Sequence, residues 1–335
     1  MLVRRNLVIA VGLTAFGSIV LAPSAGAAPL PGKVLRLGIL DALAPRFDPD
    51  SNAVHRALLD GLRAHGYAVG RNVMLEYRSA GDDSDRLSQL ADELVQAKVD
   101  ILVPIGSNPA LAVMRATRTI PIVLTGFADP VGSGVIASLA RPGGNITGIA
   151  FNAAEISAKR VQLLKEVVPN FSRVAVLWNS NLKTMALQFE QVQMAAPVLG
   201  ATVLSLRVSG SGELDKAFAA LEQNRPDGLV VLFGPMRGND LPRIVDFVNR
   251  NRIPSIFEID RGVEAGGLME FGSNRAEQAR DAVSYIDKIA NGTSPADLPV
   301  EEPTKLKLII NNRTAKALGL IIPPSILARA DEVIE

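Results

Sequence analysis

The 335-residue chain has no cysteine, two histidines, one tryptophan and three tyrosines, and aromatic residues make up 4% of it. Without Cys there is no disulfide framework, thiolate nucleophile, iron–sulfur cluster, cysteine zinc site or lipid-anchored N-terminus. Two His leave little for a histidine metal site. An excess of one charge is also missing. The 35 Lys+Arg against 34 Asp+Glu leave +1, which excludes a strongly basic nucleic-acid binder and an acidic tail. No G-x-S-x-G and no Walker lysine motif occurs. Gly132-Ser-Gly134-Val-Ile-Ala137 fits a loose G-x-G-x-x-A pattern, but the turn residues Asp129-Pro130 precede it where a nucleotide fold needs a strand. His55 and His65 lie ten positions apart on one predicted helix, about 80° from one another around its axis. They read as surface residues. The expectation is a chain that is not an enzyme, with no metal and no cofactor.

What is present is 48% hydrophobic residues and enough length for two domains, each with its own core. Residues 1–28 read as an export signal rather than part of the fold. Arg4 and Arg5 form a positive start, Leu7 to Ala22 is an apolar run, and Ala25-Gly26-Ala27 supplies small residues for cleavage near Ala27. The run is shorter than the roughly 20 apolar residues a membrane span needs. Arg4-Arg5 leaves both the general and the twin-arginine export routes open. Cleavage removes two Arg and no acid, turning the formal charge from +1 to −1. An exported, near-neutral chain without disulfides fits the bacterial periplasm, and no lasting membrane insertion is expected.

Beyond the signal, short apolar runs such as Leu35–Leu40, Val73–Tyr77, Ile101–Ile105 and Ile120–Leu124 alternate with amphipathic stretches at Ala53–His65, Asp85–Gln96 and Ala110–Thr117. That alternation predicts βαβ units and parallel strands covered on both faces. The order then recurs about 130 residues later. Arg36-Leu-Gly-Ile-Leu-Asp41 is echoed by Arg173-Val-Ala-Val-Leu-Trp178, Gly66 by Gly200, Asp100 by Asp227, and Ile120-Pro121 by Ile253-Pro254. The fold class predicted is α/β, with two doubly wound Rossmann-like lobes joined by a multi-strand hinge. Lobe one spans 34–150 and is completed by about 272–300. Lobe two spans 151–271 and is completed by about 301–335. The strand Ile146–Phe151 is expected to cross between them.

In open parallel sheets ligands bind beyond the carboxyl ends of the strands. That rule selects Asp41, Ser107, Asn108, Thr125 and Asp129 in lobe one, Asn152 near the hinge, and Asn179, Pro235 and Glu258 in lobe two. In Gly106-Ser107-Asn108-Pro109, Asn108 is expected to cap the following helix, whose N-terminus is either simply capped or a seat for a carboxylate. Asp41 and Asp129 could pair with a ligand ammonium, with a plain turn as the alternative for Asp129. Trp178 reads equally as core or as a stacking surface.

Three strings carry a resemblance. They are Ala137 to Gly148 (Ala-Ser-Leu-Ala-Arg-Pro-Gly-Gly-Asn-Ile-Thr-Gly), Glu264-Ala-Gly-Gly-Leu-Met269, and the tail from Thr314 to Ile334. Together they resemble a family of ABC-transporter substrate-binding proteins that includes tryptophan- and tyrosine-binding members, from about Val34 to the C-terminus. The resemblance implies a type I periplasmic binding clamshell, a small-molecule ligand held between lobes, and docking onto an inner-membrane ABC permease. It implies no nucleic acid, and a monomer is expected. Family members often carry Gly-Thr where this chain has Gly106-Ser107, so the hydroxyl is kept. An aromatic cage would draw on Phe127, Phe151, Trp178, Phe233 or Phe257. The ligand reading is an amino acid or carboxylate. A two-lobed transferase and a ligand-sensing partner of a membrane signalling protein remain the alternatives.

Overall fold

The computed structural model describes residues 34–335 except 82, 210, 233–239, 260 and 303–304. The predicted signal segment and Pro235 therefore lie outside the described residues. In chain order the elements are β1 (Leu35–Asp41), α1 (Ala53–Ala64), β2 (Val73–Ser79), α2 (Leu87–Gln96), β3 (Ile101–Ile105), α3 (Ser107–Ala116), β4 (Ile122–Ala128) and β5 (Ile146–Phe151). There follow α4 (Ala153–Val167), β6 (Arg173–Asn179), α5 (Lys183–Val198), β7 (Thr202–Val208), α6 (Leu214–Asn224), β8 (Gly228–Val231), α7 (Asp240–Arg250), β9 (Ser255–Phe257), α8 (Arg261–Glu264) and β10 (Met269–Ser273). The chain ends with α9 (Arg275–Ala290), β11 (Val300–Glu301), β12 (Leu306–Asn311), α10 (Asn312–Leu318), α11 (Pro324–Leu327) and β13 (Glu332–Ile334).

Two sheets result, in the orders β11-β5-β4-β3-β1-β2 and β13-β12-β10-β9-β8-β6-β7. Every pairing is parallel except β10 with β12. The apolar runs are continuous because both faces of each sheet are buried. Along β3, Ile101, Val103 and Ile105 pack towards α1 and α9, while Leu102 packs towards α2 and α3. Along β6, Val174, Val176 and Trp178 enter one core and Ala175 and Leu177 the opposite one. Helices match with a stripe, as in α7, where Leu241, Ile244, Val245 and Val248 are buried at helical spacing.

The echo between the halves has a physical counterpart. The Asp100 carboxylate accepts the Arg36 N–H at 2.8 Å, and the Asp227 carboxylate accepts the Arg173 N–H at 2.8 Å. In both lobes an aspartate thus clamps the first strand to the strand beside it. The other ends match as well: Asp41 Oδ1 accepts Leu43 N–H at 2.8 Å, and Asn179 Oδ1 accepts Asn181 N–H at 2.9 Å.

The chain passes between the sheets three times. β5 pairs along its whole length with β4 in the first sheet, so the crossing falls at Asn152, later than the predicted strand crossing. β10 leads into α9, which packs on α1 of the first lobe, and β11 leads into β12. The first two crossings share one device. Asn152 Oδ1 accepts Glu155 N–H at 3.1 Å, and Asn274 Oδ1 accepts Glu277 N–H at 3.2 Å, so each strand runs straight into an Asn-capped helix. The tail adds α11 and the edge strand β13, two elements too short to stand out as periodic sequence.

Candidate functional site

The carboxyl ends of both sheets face one cleft of about 950 Å³, part of it continuous with solvent. From the first lobe it is lined by Leu43 after β1, Gly106 to Pro109 after β3, and Thr125 and Gly126 in β4. From the second it is lined by Arg160 on α4, Thr184 and Met185 on α5, and Glu258 and Ile259 after β9. Phe151, Ser273, Arg275 and Gln278 close it along the crossings.

The first-lobe wall is a product of backbone geometry. Gly106, with φ 90° and ψ 179°, is the residue before α3, and the helix opens at Ser107. This corrects the expected role of Asn108: the cap falls two residues earlier, at Gly106, because a glycine can hold the backbone angle that ends β3. Ser107 Oγ accepts Ala128 N–H at 3.0 Å and ties the helix start to β4. The Ser107 and Asn108 N–H groups have no intrahelical acceptor, Pro109 has no N–H, and the helix dipole adds positive potential there. The Asn108 amide has no side-chain hydrogen bond among the described residues. Thr125 is buried, donating to Pro104 C=O at 2.7 Å. At Gly126 (φ 105°) the register of β4 against β5 shifts, and a Cβ there would meet Gln278 Oε1 at 2.4 Å. The bulge and the missing side chain let Gln278 reach the cleft floor.

The second-lobe wall is built from side chains. Arg160 is fully buried and falls on the inward face of α4 with Ala153, Ile156, Ser157, Leu164 and Val167. Its Nε donates to Phe271 C=O at 2.7 Å, and Nη1 donates to Ser157 Oγ at 3.0 Å and Gln188 Oε1 at 3.4 Å. Gln188 Nε2 in turn donates to Glu258 Oε1 at 3.3 Å. Burial pushes the Arg160 pKa below the ordinary guanidinium value, against the pull of Glu258 and Glu270.

The other selected residues fall elsewhere. Asp41 is buried beside the cleft, in a neighbouring hollow that also contains Ser51, Asn52 and Arg275. His55, fully buried rather than on the surface, holds it: Asp48 N–H donates to His55 Nδ1 at 3.0 Å, so the Nε2 proton faces Asp41 Oδ2 at 3.0 Å. Tyr77 donates to the same Oδ2 at 3.2 Å and Phe47 stacks on the imidazole, which explains why an apolar pocket accommodates a histidine. Burial would raise the Asp41 pKa, but the His55 and Leu43 hydrogen bonds and the Arg275 charge hold it below the ordinary value. Both carboxylate oxygens of Asp41 thus accept from groups of its own lobe. Asp129, at φ 45°, accepts Gly132 N–H at 2.9 Å and forms a turn off the lining, the plain alternative of its two readings. Asn152 is a helix cap and Asn179 a turn-former, both off the lining.

Among the aromatic candidates that are described residues, only Phe151 lines the cleft. Trp178 stacks on Phe189 at 4.6 Å and donates to Ser205 Oγ at 3.0 Å, while Phe127 and Phe257 are buried in the cores. Phe233 lies outside the described residues. Of the residues selected from strand ends, Ser107, Asn108, Thr125 and Glu258 line the cleft, together with Arg160, Arg275 and Gln278, which that rule does not select. An arginine on the apolar face of α4 was the available signal for the first. No group of three or more His, Asp or Glu is placed to hold a metal ion among the described residues, and Gly132–Ala137 forms turns with no helix behind them. No helix among the described residues is long and apolar enough to cross a membrane.

Known proteins are similar to this chain in sequence and in fold. A tyrosine-binding protein of Clostridioides difficile (strain R20291) is 27% identical over 272 residues, covering 81% of this chain and 78% of that protein. An ABC domain from Streptococcus pneumonia, solved in complex with L-Trp, superposes with a TM-score of 0.81 at 25% identity, covering 90% of this chain and 99% of that one. A substrate binding protein with adhesive properties from Clostridium difficile, in its ligand-free, open form, gives 0.66 at the same identity and coverage. Residues 48–334 match the profile of the ABC transporter substrate binding proteins, and the chain belongs to that family.

Proposed function

We propose that this protein is the exported receptor of an ABC importer. It binds a small amino-acid-like or carboxylate ligand between its lobes in the periplasm, as a monomer, and presents it unchanged to the inner-membrane permease. The observation that carries this reading is the cleft itself. Hydrogen-bond donors from one lobe (Ser107, Asn108) and charged groups from the other (Arg160, Glu258) face a single space whose remaining lining mixes apolar side chains with polar ones. The α3 N-terminus is the seat for the ligand carboxylate, with Arg275 adding positive potential at the same cleft.

The present arrangement of the lobes supports the mechanism. At equal identity and coverage, likeness is higher to the L-Trp-bound relative than to the open one. Lys183 on α5 also reaches across the cleft to Ser133 C=O at 3.1 Å. A ligand that touches both lobes only when they are together stabilises that state, and the permease reads the change at the lobe rims. Native mass spectrometry of the freshly purified protein tests the reading. A bound small molecule that is recovered unchanged after incubation supports it, whereas a chemically converted product overturns it in favour of a transferase. N-terminal sequencing of the exported protein is expected to begin at Ala28.

A further inference from the structure

Arg160 has five N–H donors and uses three of them: Nε on Phe271 C=O, and Nη1 on Ser157 Oγ and Gln188 Oε1. Its Nη2 is buried and has no hydrogen-bond partner among the described residues. Glu258 and Glu270 supply compensating charge, yet neither accepts from this nitrogen. A guanidinium nitrogen kept from water without an acceptor is costly, and Arg160 is one of the residues that line the cleft. An oxygen that enters with the ligand removes that cost.

We infer that Arg160 Nη2 is the second-lobe anchor for an oxygen at the far end of the ligand. The inference rests on the receptor reading above, in which the ligand carboxylate sits on the α3 N-terminus of the first lobe. The same cleft also presents an apolar set, Leu43, Ile105, Phe151, Met185 and Ile259, for the body of the ligand. The ligand class that matches is a carboxylate, an apolar middle, and a hydroxyl, carbonyl or second carboxylate at the opposite end. An all-hydrocarbon side chain would leave Nη2 buried and unpaired once the lobes closed over it. Arg160 is thereby a specificity residue. It discriminates against the ligand lacking the oxygen more strongly than it attracts the one that has it, because the cost falls on an unmade bond.

Two matched pairs test this by isothermal titration calorimetry on protein stripped of endogenous ligand by unfolding and refolding: L-phenylalanine with L-tyrosine, and 3-phenylpropanoate with 3-(4-hydroxyphenyl)propanoate. In at least one pair the oxygen-bearing member is expected to bind about tenfold to a hundredfold more tightly. In Arg160→Met that ratio is expected to fall to about one, and Arg160→Lys serves where the methionine variant does not fold. Equal affinity within the pairs for the wild-type protein overturns the inference and leaves the receptor reading standing. A ratio that survives in a folded variant, or a variant that weakens both members alike, also overturns it and makes Arg160 purely structural. Failure of all four compounds to bind at millimolar concentration overturns the carboxylate-receptor reading together with the inference.

Discussion

The two lobes repeat one topology, yet they build their halves of the cleft by different means. The first lobe uses main chain: a glycine turn, the half-buried start of α3, a bulge in β4 and small polar side chains. The second uses a buried arginine held by Ser157, Gln188 and a backbone carbonyl, with carboxylates around it. Main-chain donors are preorganised and carry little sequence information. A buried guanidinium demands a fixed set of partners, so the second lobe concentrates both the energetic cost and the discrimination. The amino ends of the strands, where Asp100 and Asp227 make the same clamp, show no such divergence.

The contrast can be broken from either side. Arg160→Met should be the most damaging change, because it takes a donor from Gln188 Oε1 and Ser157 Oγ and a positive charge from beside Glu258 and Glu270. A loss of about 3 kcal/mol is expected from urea denaturation. In the first lobe, Gly106→Ala forces a side chain into a backbone region that only glycine tolerates, at about 2 kcal/mol, although nothing lies within 4 Å of the new Cβ. Thr125→Val should cost about 1 kcal/mol, for one lost hydrogen bond to Pro104. If that substitution proved as damaging as Arg160→Met, the division of labour between the lobes would be wrong.

Two further expectations concern protons. The Asp41 pKa is lower folded than unfolded, so its contribution is fully present above its ordinary value of 3.8 and is lost as pH falls through the depressed folded value. Asp41→Asn is therefore expected to flatten the acid limb of a thermal-stability profile below about pH 4. Glu302, beside the third crossing, shows the reverse. Burial, then Asp129 and Glu155, raise its pKa above 4.5, so it opposes folding once pH rises past its unfolded value. Glu302→Gln should raise the melting temperature slightly at pH 7 and leave it unchanged at pH 3. The smallest effect belongs to Lys183→Ala, where thermal stability should hold and ligand affinity drop about two- to fivefold, the worth of one exposed hydrogen bond.

The fold was largely readable because strands buried on both faces leave unbroken apolar runs, and β1, β3 and β6 are of that kind. The tail strand β13 and the short α8 were not, since three or four residues carry no period. For the site, the strand-end rule found positions but not orientations. Asp41 and Asn179 sit at strand ends, yet each turns its side-chain Oδ1 back to the N–H two residues ahead. Whether a polar side chain at a strand end serves a ligand or its own loop depends on local geometry that composition does not encode. Arg160 was hidden for a different reason. Its neighbours Phe271 and Gln188 are 111 and 28 residues away in sequence, so no local pattern marks their meeting.

The interleaving of the lobes also bears on how the chain is made. The first sheet takes its outer strand from Val300–Glu301, and the second takes β12 and β13 from the last 30 residues. No uninterrupted stretch of the gene encodes a whole lobe. As the polypeptide emerges from the ribosome, α1 waits for α9 and β5 for β11, so neither half reaches its finished form until almost the entire molecule has been synthesised.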